Sequence, residues 1–135
     1  MRIYLWRIWK RQTSKNCNLF KSDLRGVRLH AATLTEANLE GADLRAGTFS
    51  FGQRKGQGAV DMTRAVLDSA RLHNAMLDGA KMGGASCVRT NFIGASMPEV
   101  DLSGADLKDA NLSHAKLKLQ KKLQFDLGTL RASTL

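Results

Sequence analysis

The residues of this 135-residue chain best suited to chemistry are three histidines (His30, His73, His114), two cysteines (Cys17, Cys87) and the adjacent cations Arg54 and Lys55 of a glycine-rich stretch. Histidine and cysteine could hold a metal if three or four of them converged, and a cysteine beside a histidine could act as a nucleophile. Ser and Asp are plentiful, yet no nucleophile elbow, phosphate-cradling loop or carboxylate pair stands out. Whether any of these side chains meet depends on the elements that carry them.

Those elements are set by a period of five. A large apolar residue recurs as Leu19, Leu24, Leu29, Leu34, Leu39, Leu44 and Phe49, and again as Met62, Leu67, Leu72, Leu77, Met82, Cys87, Phe92, Met97, Leu102, Leu107, Leu112 and Leu117. At 43% apolar composition, chance would fill nineteen preset positions this way only about once in ten million trials. Five residues rotate an α-helix by roughly 500°, leaving successive large residues about 140° apart and on no common face. A continuous strand fails as well, because an odd step sends every second Leu to the opposite side. The pattern requires a short extended piece, then a corner, with the alternation restarting after each corner.

Two places before each large residue stands a small one, most often Ala, and the two point inward together while the residue between them faces out. Gly26, Gly41, Gly79, Gly84, Gly94 and Gly104 fall at the corners, where a β-carbon is unwelcome. A chain wound in this way stacks coil on coil at about 4.8 Å. Cys17 and Cys87 take inward positions, as small apolar residues do, and two buried thiols fit a reducing compartment.

Units such as Ala37-Asn38-Leu39-Glu40-Gly41, Ala42-Asp43-Leu44-Arg45-Ala46 and Ala105-Asp106-Leu107-Lys108-Asp109 resemble the A-(D/N)-L-x-x unit of the pentapeptide-repeat family over residues 17–119, with one interruption. The resemblance implies an all-β fold, a right-handed quadrilateral β-helix with four units per coil. Nineteen units then make roughly 4.75 coils, a rod of about 23 Å. In that winding the three histidines fall at corners and are expected to be solvated, with His73 and His114 about two coils, or roughly 10 Å, apart and too distant to share a metal. No metal, cofactor or catalytic residue is expected. The usual Asp or Asn before the centre is replaced by Arg28, Val66, Arg71, Met76, Lys81 and Lys116, which dilutes the acidic outer surface.

The interruption lies between Phe49 and Met62. Gly52-Gln53-Arg54-Lys55-Gly56-Gln57-Gly58 has three glycines, no apolar side chain and two cations, so a loop insertion at about 50–58 is expected to leave a corner there. The step of thirteen fits eight inserted residues or a degenerate unit plus three. Either the insertion is merely tolerated, or Arg54 and Lys55 contact a partner, as loops on rigid scaffolds commonly do. Some gyrase-protecting members of the family carry such loops.

Net charge is +9, which suggests nucleic acid or an anionic membrane, but the charge is not spread evenly. Residues 1–16 carry five bases and no acid, residues 116–135 carry five bases and one acid, and the residues between them balance at eleven each. A neutral rod supplies neither the negative surface of a DNA mimic nor a continuous basic track, so nucleic acid is not expected as a partner.

The N-terminal segment, residues 1–16, interleaves Tyr4, Trp6 and Trp9 with cations. It is too short and too broken to cross a bilayer, and it reads either as a lid on the first coil or as an interfacial membrane anchor. Residues 120–135 form the other terminal segment. Around it Leu119, Leu123, Leu127 and Leu130 recur at helical spacing, with Lys121 and Lys122 elsewhere. A short C-terminal helix is expected, capping the open end of the coil or forming a homodimer contact. The reading is a non-catalytic scaffold or protein-interaction module, bacterial and cytoplasmic, with contacts expected at Arg54, Lys55, Trp6, Trp9, Lys121 and Lys122. The competing readings are a membrane-peripheral adaptor and, by family analogy, a gyrase or topoisomerase modulator.

Overall fold

The computed structural model describes residues 13, 15–51 and 54–118. The chain winds as a β-helix. Parallel bridges join residues twenty apart, from Thr13↔Thr33, Asn18↔Asn38 and Asp23↔Asp43 to Asn91↔Asn111, so each coil takes four five-residue units. Four outward columns result: Thr13, Thr33, Val66, Ser86 and Asp106; Asn18, Asn38, Arg71, Asn91 and Asn111; Asp23, Asp43, Met76, Ser96 and Lys116; Arg28, Asp61, Lys81 and Asp101. Four strands are long enough to name: β1 (Gly47–Phe51), β2 (Arg54–Gly58), β3 (Ser96–Pro98) and β4 (Lys116–Lys118). β3 and β4 are successive coils of one wall, paired in parallel.

The five-residue unit accounts for its own amide hydrogens. In the unit around Leu19, the Leu19 N–H donates up to the Asn38 carbonyl (2.7 Å), the Lys21 N–H donates up to Glu40 (2.9 Å), and the Ser22 N–H closes a turn onto Leu19 (3.1 Å). One coil up, the Asn38 N–H donates down to Cys17 (2.9 Å). The remaining N–H, just after the central residue, finds the side-chain oxygen of the Asn or Asp two places before it. Phe20 N–H donates to Asn18 (3.1 Å), Thr63 to Asp61 (3.0 Å), Ile93 to Asn91 (3.1 Å) and Ser103 to Asp101 (3.0 Å). The recurrent Asn/Asp is therefore a local cap on the corner. Where Ser86 replaces it, Asp68 of the coil below accepts the Val88 N–H (3.0 Å) and the Ser86 hydroxyl (2.6 Å) instead.

Every described corner has positive φ at its third residue, the backbone of a type II turn. Glycine fills only Gly26, Gly41, Gly79, Gly84, Gly94 and Gly104, while Ala31, Glu36, Arg64, Ser69 and seven other side-chain-bearing residues adopt φ between 50° and 59°. The expectation that glycine marks the corners therefore catches a minority of them. Inward, Leu34, Leu39, Leu67, Leu72, Leu77, Met82, Cys87, Phe92 and the inward alanines from Ala32 to Ala95 are buried, while Ala105 and Ala115 near the C-terminal end are only partly covered. Leu24 and Leu107, nearer the ends, are 5% and 4% exposed. Thr90 takes an alanine position because its hydroxyl donates to the Leu67 carbonyl (2.7 Å).

Two expectations are corrected. Phe49 is not a core centre: across the interruption the bridges step by thirty-three, as in Arg28↔Asp61, Thr33↔Val66 and Asp43↔Met76. Twenty of those residues are a coil, so thirteen are inserted, and Val60, Asp61 and Met62 take the place above Val27, Arg28 and Leu29. The inserted residues 47–59 contain an antiparallel hairpin, β1 against β2, with Phe49 opposite Gly56, rather than a loop confined to 50–58. The histidines are not uniformly solvated either: His114 is exposed, but His30 and His73 are half-buried. The C-terminal helix lies outside the described residues, and no helix occurs within them.

Candidate functional site

The hairpin is the one departure from the repeat among the described residues, and its placement follows from close packing at its base. It leaves the coil after Arg45, whose carbonyl still accepts the Gly26 N–H (3.0 Å), and returns at Val60. Gly47 starts β1 pressed onto the corner below it: a Cβ there would stand 2.5 Å from the Arg25 carbonyl carbon and oxygen and 2.8 Å from the Gly26 nitrogen. Gly26 faces it in turn, its own Cβ position lying 3.1 Å from the Gly47 α-carbon. Two glycines in contact let a strand depart from a wall that elsewhere admits none.

The register Gly47↔Gly58, Phe49↔Gly56 and Phe51↔Arg54 alternates with Thr48↔Gln57 and Ser50↔Lys55. Arg54 and Lys55 thus sit together at the start of β2, next to the two-residue connection 52–53, and residues 47–59 contain no acid. On the wall below the hairpin, Arg25 and Arg45 stand one coil apart in a ladder with Asp23 and Asp43. Arg25 pairs with Asp23 and Arg45 with Asp43 (2.8 Å each), and Arg25 reaches Asp43 at 3.7 Å. Hydrogen bonding from the Arg45 guanidinium holds the Asp43 carboxyl below its usual range, against a smaller opposing effect of burial. Arg25 and Arg45 are therefore largely neutralised in place by Asp23 and Asp43.

The other candidates stay apart. His73 meets Asn91 (Nε2 to Nδ2, 3.2 Å), and its Nδ1 is buried without a hydrogen-bond partner. Among the described residues no three His, Cys, Asp or Glu side chains are grouped to hold a metal ion. Cys87 is wholly enclosed, and burial pushes its thiol up to about 12, with Asp68 and Asp106 adding to the shift. That thiol carries no nucleophilic thiolate near neutral pH. Cys17 is half-buried and also raised by burial. Trp6, Trp9, Lys121 and Lys122 lie outside the described residues.

Sequence reasoning missed the hairpin and the arginine ladder. The hairpin had a signal: Thr48-Phe49-Ser50-Phe51 alternates with period two and is followed by Gly52-Gln53, a two-residue connection opening on glycine. Counting Phe49 in the five-fold series hid it. The ladder becomes visible only once coils of twenty residues place Asp23 beside Asp43.

Comparison with known proteins agrees with this geometry. The family model described as pentapeptide repeats matches residues 15–50, 59–84 and 85–119 in eight copies, passing over the middle of the hairpin. No curated protein matches by sequence. Among solved structures, a pentapeptide repeat protein of the Arabidopsis thaliana thylakoid lumen is similar with a TM-score of 0.58 at 19% identity, covering 84% of this chain and 72% of that one. At that identity the likeness concerns the fold alone. A pentapeptide repeat protein of the cyanobacterium Cyanothece, Rfr23, is 28% identical over 80% of this chain and 62% of its own, with a TM-score of 0.41. QnrB1, a plasmid-mediated fluoroquinolone resistance protein, is 18% identical over 79% and 56%, with a TM-score of 0.43.

Proposed function

The chain belongs to the pentapeptide-repeat family and winds as its right-handed β-helix, and from that premise we propose that it is a non-catalytic scaffold of four-sided section that engages a protein partner through the hairpin at residues 47–59. The observation that carries this reading is the register on either side of the insertion. Thirteen residues are added between Leu44 and Met62, yet every described column above and below continues unbroken. An insertion that leaves the wall intact is free to serve contact, and this one brings Arg54 and Lys55 without an acid. The body beneath it is nearly neutral, so an acidic patch on a partner is drawn to the hairpin rather than to the rod.

The enclosed Cys87 is inert, the described histidines and carboxylates do not converge, and the corner carboxylates are spent on backbone caps. The C-terminal helix capping the last coil remains part of this proposal, as do contacts through Trp6, Trp9, Lys121 and Lys122. The test is affinity capture from the native host with wild-type protein beside a form lacking residues 47–59. Partners held by the first and lost from the second support the reading. An unchanged set of partners rejects it.

A further inference from the structure

We propose that two copies of this chain join through the outer edge of β1, forming a four-stranded antiparallel sheet in the order β2-β1-β1-β2 about a twofold axis at Phe49. β1 and β2 make a sheet of two strands. A lone two-stranded hairpin is marginal in water, whereas three or more strands hold together. Both outer edges are therefore candidates for a further strand.

The two edges differ in what they can accept. β2 carries Arg54 and Lys55, so pairing two copies through it sets like charges together. β1, Gly-Thr-Phe-Ser-Phe, has no charge and no proline, and it alternates hydroxyl-bearing and aromatic residues. It is the edge without the usual protection against strand addition.

Its sequence is also complementary to itself. The two-residue connection closes on Phe51 and Arg54 as a hydrogen-bonded pair, so the backbone groups of Gly47, Phe49 and Phe51 face β2 while those of Thr48 and Ser50 face outward. An antiparallel pair centred on Phe49 sets Thr48 against Ser50 of the second copy, and Ser50 against its Thr48. These are the residues whose outward amides and carbonyls are available, so both hydrogen-bonded pairs form. Phe49 then opposes the second copy's Phe49 in a non-hydrogen-bonded pair, where side chains come closest. Such an interface is isologous and closed, giving a dimer and not a fibre. The cationic β2 strands stay on the outside, two per dimer. The proposal does not depend on a protein partner being found.

Light scattering on the full chain over a wide concentration range tests it, with the dimer read as twice 14.8 kDa. Thr48→Pro combined with Ser50→Pro removes both outward amides, leaves those facing β2, and is expected to return the protein to monomer with its thermal unfolding unchanged. In a Cys17→Ala background, Phe49→Cys is expected to give a disulfide-linked dimer on mild oxidation, because that pair spaces its α-carbons within disulfide range. Lys55→Cys in the same background is expected to pair through β1 as wild type does, but to run as un-cross-linked chains on the same non-reducing denaturing gel, because β2 lies on the outside of the dimer. A wild-type chain that is monomeric throughout overturns the proposal. So does a dimer that survives the double proline change, or cross-linking of Lys55→Cys as readily as Phe49→Cys.

Discussion

Deleting residues 47–59, and only those thirteen, should rebuild an uninterrupted wall. The join Leu44-Arg45-Ala46-Val60-Asp61-Met62 restores the five-residue step, with Val60 at the small inward position, Asp61 at the corner cap and Met62 at the centre. Each keeps its present partner: Asp61 N–H donates to the Val27 carbonyl (3.1 Å), Met62 N–H to Lys81 (2.7 Å) and Thr63 N–H to Asp61 (3.0 Å). Removing a closed excursion of thirteen residues recovers about 2 kcal/mol of loop-closure entropy. Against this, Ala46 must enter the left-handed corner conformation that Ala31 already adopts at φ 54°, which costs about 1 to 2 kcal/mol. The net change should fall within about 1 kcal/mol of zero, and adding Ala46→Gly should turn it into a gain.

The control is a deletion of twelve, residues 47–58. One residue is left over, which moves Asp61 onto the buried centre and Val60 onto the outer face and shifts every later unit unless a bulge absorbs it. An isolated carboxylate in that core costs several kcal/mol. Urea unfolding followed by far-ultraviolet circular dichroism compares the three proteins. If the thirteen-residue deletion loses more than about 3 kcal/mol, or is no better than the twelve-residue one, the phase assigned to the insertion is wrong.

Gly47→Ala should destabilise by roughly 3 kcal/mol, since its β-carbon would sit 2.5 Å from the Arg25 carbonyl. Gly79→Ala, at φ +69° with nothing within 4 Å, should lose only about 1 kcal/mol from backbone strain; equal losses in chemical denaturation would discount the Gly26–Gly47 contact. Arg71→Asn places an amide in the one gap of the asparagine column and offers an acceptor to the His73 N–H, so the unfolding free energy from urea denaturation should rise by about 0.5 to 1 kcal/mol. A fall would mean that the Arg71 stem matters more than the cap. Burial raises the Cys87 thiol to about 12, above its unfolded value of about 8.5. Its contribution is therefore whole below the unfolded value and is lost as pH rises from there toward 12. Wild type should lose stability over that range faster than Cys87→Ala, and identical slopes in alkaline denaturation would show that the thiol ionises freely in the fold.

The core was legible because its physics is local and repetitive. Leu24, Leu72 and Leu107 each sit at the centre of a five-residue unit and inward for one reason, the restart of alternation after each corner, and nothing distant has to be known to see it. Phe49 misled because it satisfies the same local rule. An apolar residue at the right step cannot reveal that its strand pairs back on Arg54–Gly58 rather than stacking on the coil below. That choice is made by the contact of Gly47 with Gly26, twenty-one positions earlier in the chain. The histidines misled in a smaller way: corner positions are exposed on average, but His73 lies against Asn91, which the next coil sets beside it.

The division between capped and uncapped corners gives the site its physical meaning. An Asn or Asp at the wall holds the corner amide from within its own unit, so those walls are stiff and their carboxylates are occupied. Asp23 and Asp43 are occupied twice, by the corner amides of Arg25 and Arg45 and by the guanidinium groups of the same residues. The hairpin leaves from directly beside this doubly tied ladder. Its base is therefore fixed to the most cross-braced corner among the described residues, while its two cations have no acid within residues 47–59 to satisfy them. On the proposed function, a braced base beneath a segment that carries two bases and no acid makes the insertion, and not the wall, the surface where loss of recognition should be sought first.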